Sequence, residues 1–308
     1  MNRKIIALVL VICLSFSFAS LGFAQGVSSD MTALEKLSVT ENIYYGSEQT
    51  GSLIDRTKKL EKDIFGASEK DPIMTRIDRL YAYTKLSSIG SPSFILRLNA
   101  AEWNLLHNVT NNAAKARLES LETTLSGSPT TGAFDTRLTK LMRLAFTDGQ
   151  IDLAEAAVKQ DTLVKIKLLT PLTSKDSRPG DTVSFIAAED IFDNGVLIVT
   201  KGAVGHGTVK AVDRAGNLGR DGKLQVEFNS IEAVDGSELA TVLGDKAKEK
   251  TNSVAKVAGA SMAGMILLGP IGILGGAFVH GKDNDMPAGS EIYIQTKSDT
   301  RIYGVKIR

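Results

Sequence analysis

"LIDRTKKLEKDIFGASEKDPIMTRIDRLYAYTK", residues 53–85, holds the same short unit twice, and the reading of that unit decides the fold of the first half of the chain. Its landmark, Arg56 and then Arg76, recurs at Arg97, Arg117 and Arg137, in steps of 20, 21, 20 and 20, and Lys36 extends the series backward. Counted from each arginine, position −3 holds Leu53, Ile73, Phe94, Ala114 and Phe134. Position +1 holds Thr57, Ile77, Leu98, Leu118 and Leu138, and +4 holds Leu60, Leu80, Ala101, Leu121 and Leu141. Those offsets fall on one face of an α-helix. Position −5 is always a turn former: Gly51, Asp71, Pro92, Asn112 and Gly132. Gly46, Gly66 and Gly127 are predicted to stop their helices. Asp71-Pro72 is predicted to start one, with Asp as N-cap and Pro at the first helical position. Each unit is therefore a helix of roughly 14 residues, ~20 Å long, plus a turn. One such helix cannot bury its stripe alone, so the units must stack.

The arginine flanks the apolar stripe on one side, and position +5, held by Glu41, Glu61, Glu102 and Glu122, flanks it on the other; Tyr81 and Met142 interrupt that series. Two readings follow. Arg56, Arg76, Arg97, Arg117 and Arg137 could form a ladder that grips an anionic polymer such as cell-wall glycan. Alternatively, neighbouring helices pair Glu with Arg, and exposed pairs of that kind contribute under about 1 kcal/mol each. "DGQIDLAE", Asp148–Glu155, imitates the second half of a calcium-binding loop. Its first and third positions would be Leu144 and Phe146, which cannot ligate calcium, so it reads as a turn capping the last repeat.

The N-terminus sets an address. Arg3 and Lys4 precede an apolar run from Ile5 to Leu14, and Gly22-Phe23-Ala24 places small residues before Gln25, the pattern of a secretory signal peptide over residues 1–24. The sole cysteine, Cys13, lies inside it, so no disulfide is expected in the exported chain. Removing two of the 36 basic residues leaves 34 against 35 acidic ones, which gives no electrostatic footprint for nucleic acid.

From Leu163 the periodicity changes to alternation. Predicted strands are Leu163–Leu169, Thr182–Glu189, Val196–Val199, Gly205–Val212, Lys223–Ile231, Glu238–Leu243, Glu291–Thr296 and Arg301–Lys306, separated by turns such as Pro179-Gly180-Asp181 and Asp193-Asn194-Gly195. Many short strands with glycine-rich turns indicate a small barrel or sandwich. "VTKGAVG" (Val199–Gly205) and "MPAGSEI" (Met286–Ile292) each put a glycine turn before a strand, which favours a barrel. His107, His206 and His280 stand apart from one another, and no phosphate loop, nucleophile elbow or zinc-protease motif occurs. No enzyme, cofactor or metal is expected.

"SRPGDTVSFIAAEDIFDNGVLIVTKGAVGHGTV", Ser177–Val209, resembles the opening of the β-barrel domain of the TrbI-like scaffold proteins of conjugation and type IV secretion machines. The residues that carry the resemblance are Pro179, Gly180, Ile198, Lys201, Gly202, Gly205 and Gly207. It implies barrels that assemble into a ring, with a hydrophobic helical excursion reaching the outer membrane. The chain departs from that family in two ways: it has a cleaved signal instead of an inner-membrane anchor, and a helical repeat instead of a proline-rich stalk.

The counterpart of such an excursion is Val257–His280, 24 residues without a charge. Gly269-Pro270 and Gly272 break it into two halves, each too short to span a membrane alone, so a glycine-rich helical hairpin is predicted. The hairpin could cover its own barrel, insert in a membrane or form a ring contact, or cross as a full span. Its candidate contact residues are Met265, Ile266, Leu267, Leu268, Ile271, Ile273, Leu274 and Phe278. "GDKAKEKTNSVAK" ahead of it reads as a polar, flexible lead-in. The expectation is an α+β multidomain protein: a helical repeat over 25–160, then a barrel domain over 161–308 with the 257–280 insert. Its expected work is scaffolding or tethering in the periplasm or cell envelope, through envelope proteins, a second copy of itself or membrane contact.

Overall fold

The computed structural model describes residues 31–216, 220–257, 283 and 285–307. Residues 1–24, expected to be a signal peptide, and the eight candidate contact residues of the apolar run lie outside the described residues. Val257 closes a helix, but its side chain is not among those described.

Six helices open the fold: α1 Ala33–Tyr45, α2 Leu53–Phe65, α3 Ile73–Lys85, α4 Phe94–Leu106, α5 Ala114–Ser126 and α6 Phe134–Ala145. Each is 13 residues long except α6, at 12, so the repeat is one helix and one turn, as its spacing predicts. Gly46, Gly66 and Gly127 follow helix ends in the left-handed region, at φ of 80°, 85° and 82°, where glycine carries no Cβ penalty. His107 takes that place after α4 at φ 51°. The start of α3 differs from the expectation by one residue. Pro72 is itself the cap, accepting the first helical bond from Arg76 N at 3.1 Å, and Asp71 turns instead to Arg79, with Nη2 2.5 Å from its carboxylate.

Leu60, Leu80, Leu98, Leu121 and Leu141 all join one buried cluster, so the five stripes merge into a continuous core. Tyr44 sits at its centre, its ring 4.7 Å from that of Phe94 and 5.4 Å from that of Phe134. Contact is closest between α1 and α3 and between α4 and α6, so the array closes on itself instead of extending as a flat row.

The strand region is a closed antiparallel barrel of six strands, joined by a four-stranded sheet and a short two-stranded pair. Barrel strands are β2 Leu163–Leu168, β4 Thr182–Ala187, β7 Val204–Asp213, β8 Lys223–Glu232, β9 Glu238–Val242 and β11 Glu291–Thr296. The second sheet takes β1 Leu153–Val158, β5 Ile191–Asp193, β6 Val196–Val199 and β12 Thr300–Lys306. Every strand expected from alternation forms, with ends shifted by at most two residues; β1, β5, β3 (Leu172–Thr173) and β10 (Asp285–Met286) were not anticipated. The calcium-loop imitation is dismantled by the fold, since Gly149 sits in a turn and Leu153 already belongs to β1.

Gly205 and Gly207 make the tight interior possible. A Cβ at Gly205 would lie 2.0 Å from the Phe185 ring, and one at Gly207 would lie 2.5 Å from the Glu227 carbonyl oxygen. Phe185 and Phe228 then fill the barrel edge to face, 5.4 Å apart. The lead-in before the apolar run is corrected by the structure. It forms a helix, α7 Asp245–Val257, packed against β11. From Ala33 onward the chain is one compact unit.

Leu80 is 1 % exposed in the helical core, so Leu80→Ala should destabilise the protein by about 2–5 kcal/mol in chemical unfolding. A loss below about 0.5 kcal/mol would contradict the shared core.

Candidate functional site

The glutamates and arginines that flank the stripe meet inside the turns between helices. Arg76 donates from Nε to Glu61 Oε1 at 2.8 Å and from Nη2 to Oε2 at 2.6 Å, a bidentate fork. Arg137 does the same with Glu122 at 2.9 and 2.8 Å, and Arg56 with Glu41 at 3.0 and 2.6 Å. Arg117 donates from Nε to Glu102 at 2.8 Å. Each carboxylate also accepts a backbone N–H from the turn eight residues on: Gln49 at 2.9 Å, Glu69 at 3.1 Å, Thr110 at 3.2 Å and Thr130 at 2.8 Å. At Thr110 and Thr130 the hydroxyl adds a second bond, 2.7 and 2.6 Å long. One carboxylate thus ties its own helix, the following turn and the next helix together.

These pairs are covered, contrary to the exposed flanks expected from helical geometry. The arginine side chains of the four pairs are 5–10 % exposed and the glutamates 0–5 %. The turn folds back over each pair, which a helical wheel cannot represent. Their guanidinium groups already face carboxylates, so a polymer could reach them only by displacing a buried partner.

Arg97 is the exception, and its step is the one of 21 residues. Position +5 of the preceding unit is Tyr81, so no carboxylate waits for it. Arg97 instead donates to Tyr83 Oη at 2.5 Å and pairs with Asp135 of α6 at 3.1 Å, and its Nε is buried without a partner. Burial is the main reason the Tyr83 hydroxyl titrates well above its ordinary value. The turn ahead of Arg97 is held by Ser87 and Ser93, whose hydroxyls are 3.0 Å apart. Without the clamp to fix its length, that turn accommodates an extra residue.

The fourth helix also carries the join to the barrel. At positions −1, +2, +3 and +6 the second unit presents Asp55, Lys58, Lys59 and Lys62, whereas the fourth presents Leu96, Asn99, Ala100 and Trp103. Leu96 and Ala100 pack with Leu197, Val234 and Val305 of the strand region. Asn99 Nδ2 donates to the Val234 carbonyl at 2.9 Å, and its Oδ1 accepts from Arg117 Nη2 at 2.7 Å, which links the arginine series to the barrel. Trp103 Nε1 donates to Asp190 at 2.9 Å. Lys85 Nζ donates to the Gly236 carbonyl. The Lys201-Gly202 turn reaches α4's far end: Val109 N donates to Lys201 O at 2.9 Å, and a Cβ at Gly202 would lie 2.0 Å from Val109 O. Burial raises the Glu232 carboxyl above its ordinary range, against the pull of nearby Lys85 and Arg117. This face was missed in the sequence, although the loss of charge at four positions of one unit signals it.

In chain order the uncharged run lies between β9 and β11. Those strands pair directly, Gln295 with Val242 and Thr296 with Thr241, so the barrel closes across the excursion. Among the described residues no helix is long and apolar enough to cross a membrane, and no group of three His, Cys, Asp or Glu side chains could hold a metal. His206 is exposed on β7, and His107 serves as the cap of α4.

Glu122 supplies a test of the clamp. Burial pushes its carboxyl pKa up, but the bonds from Arg137 and Thr130 outweigh this and hold it below the usual glutamate value. A depressed folded pKa gives stability that is present above the ordinary glutamate pKa and is lost as pH falls through the folded one. Glu122→Gln should cost about 2 kcal/mol at pH 7, less than the ~3–5 kcal/mol of removing one partner of a buried pair outright, because glutamine keeps a side-chain oxygen for Arg137. The gap to the parent should close in acid. An equal loss at both pH values would contradict this electrostatic origin.

No protein-family model and no curated relative matches the chain. Among solved structures it is similar to ComB10 of the Com type IV secretion system of Helicobacter pylori, a member of the class of machine that the Ser177–Val209 resemblance names. The two are 15% identical, and the likeness covers 46% of this chain and 88% of that one, with a TM-score of 0.27. At that depth it supports no statement on shared work, and the barrel's own strand pairing describes its architecture.

Proposed function

We propose that the chain is an exported cell-envelope scaffold or tether without catalytic activity. In this reading the six helices within residues 25–160 form a rigid arm whose following strand β1 joins the strand region, 161–308 form the barrel domain, and the apolar run 257–280 is the working surface. Its contacts are Met265, Ile266, Leu267, Leu268, Ile271, Ile273, Leu274 and Phe278, against an envelope protein, a second copy of the chain or a membrane. The observation that carries the reading is the direct pairing of β9 with β11, which closes the barrel without a strand from the uncharged run that lies between them in the chain. In this reading the uncharged run of 24 residues presents apolar surface that something must cover. The arm suits a tether because its turns are clamped by buried ion pairs and its fourth helix is fixed to the strand region at several points.

Deletion of Val257 to His280, bridged by a short Gly-Ser linker, should leave the barrel folded by circular dichroism and weaken membrane association or oligomerisation. Fractionation and light scattering measure both. A folded variant with unchanged membrane and oligomer behaviour would overturn the working-surface reading, and an unfolded one would make the run part of the core.

A further inference from the structure

The barrel seam between β9 and β11 is short, and α7 occupies the place where it would continue. The register of the two closed pairs, extended by one hydrogen-bonded step, would set Gly244 opposite Tyr293. Both groups needed for that step are occupied by α7. The Gly244 carbonyl accepts from Lys248 N at 3.0 Å as the first helical bond, and Tyr293 N donates to Thr251 Oγ1 at 2.9 Å. The helix is clasped in addition by Gln295, whose Oε1 accepts from Ala247 N at 3.0 Å and whose Nε2 donates to Asp161 at 2.5 Å. Asp161 holds a left-handed conformation at φ 63° and pairs with Lys246 at 3.3 Å. Gly244 passes close to Gln295, where a Cβ would meet the amide carbon at 2.3 Å.

We infer that the first turn of α7 and the continuation of the β9–β11 ladder are alternative structures of the same residues. Unwinding that turn frees the Gly244 carbonyl, Tyr293 N–H moves from Thr251 to it, and the seam lengthens by a pair. Neither group is left unsatisfied in either arrangement, so the exchange avoids the penalty of a buried orphan. Helix rises 1.5 Å per residue and strand about 3.3 Å, so each residue exchanged carries the rest of α7 along by roughly 2 Å. The end of α7 at Val257 moves with it. Where residues 257–280 engage a partner, as in the function proposed above, that engagement acts on the seam. The exchange itself does not rest on that reading.

Residue-resolved amide hydrogen exchange on the full chain tests it. Thr251→Val removes the acceptor, together with the hydroxyl's own bond to the Ala247 carbonyl at 2.8 Å, and keeps the shape, whereas Thr251→Ser keeps both bonds. In Thr251→Val the Lys248 amide should exchange roughly tenfold faster, about what the loss of one hydrogen bond allows, while Tyr293 stays within a few-fold of the parent. Thr251→Ser should match the parent at both positions. Lys248→Pro, which removes the competing donor, should likewise leave Tyr293 protected. Faster exchange at Tyr293 in Thr251→Val would overturn the inference, whether or not Lys248 changes, and so would no change at either amide. Loss of membrane or oligomer contact on deleting 257–280 is a separate readout, and its failure leaves this one intact.

Discussion

A single carboxylate with three donors around it sets the geometry of the helical half. Glu61 accepts two bonds from Arg76 and one from the backbone of Glu69, and Glu122 repeats the arrangement with Arg137 and Thr130. Five residues from arginine to glutamate and fifteen from glutamate to the next arginine make the period of 20. A covered ion pair gains little net free energy over an apolar contact, because desolvating both charges offsets their attraction. Its effect lies in specificity: a turn of any other length would leave a carboxylate and a guanidinium without partners. The apolar stripes supply the stability, and the clamps decide which stripe meets which.

The same logic explains the one irregular junction and the one irregular helix. Where Tyr81 replaces the clamp glutamate, the period slips to 21 and Arg97 crosses to Asp135 on another helix. In the next helix the outward face loses its charges, so α4 is apolar on two sides and lies between the helical core and the strand region, against Leu197 of β6, Val305 of β12 and Val234 between β8 and β9. Asn99 bonds both Arg117 and the Val234 carbonyl, which joins the clamp series to the strand region. A tether transmits force only if its parts do not turn freely, and this junction supplies that restraint in the proposed function.

Much of this architecture was readable from the chain, for definite reasons. Helical repeats announce themselves because every unit must present the same stripe, and the barrel strands alternate because one side faces Phe185 and Phe228. The short elements were not readable. β5 is three residues and β10 two, too few for a period, and β1, "LAEAAV", owes its strand to pairing with β12 more than to its alanines. Burial of the clamps was missed because the turn that covers them is tertiary structure, invisible to a helical wheel. α7 reads in the sequence as a polar, flexible lead-in because its polar residues hide the contacts of Ala247 and Thr251 with β11.

The central claim, that each clamp couples two helices through a covered carboxylate, is tested most directly by a double-mutant cycle. Glu61→Ala, Arg76→Ala and the pair would be compared by chemical unfolding at pH 7. A covered, bidentate pair predicts a coupling of about 2 kcal/mol or more, well above the ~0.2–1 kcal/mol of exposed pairs. Strictly additive losses, with coupling under about 0.5 kcal/mol, would mean that the clamps decorate the array and do not set its register.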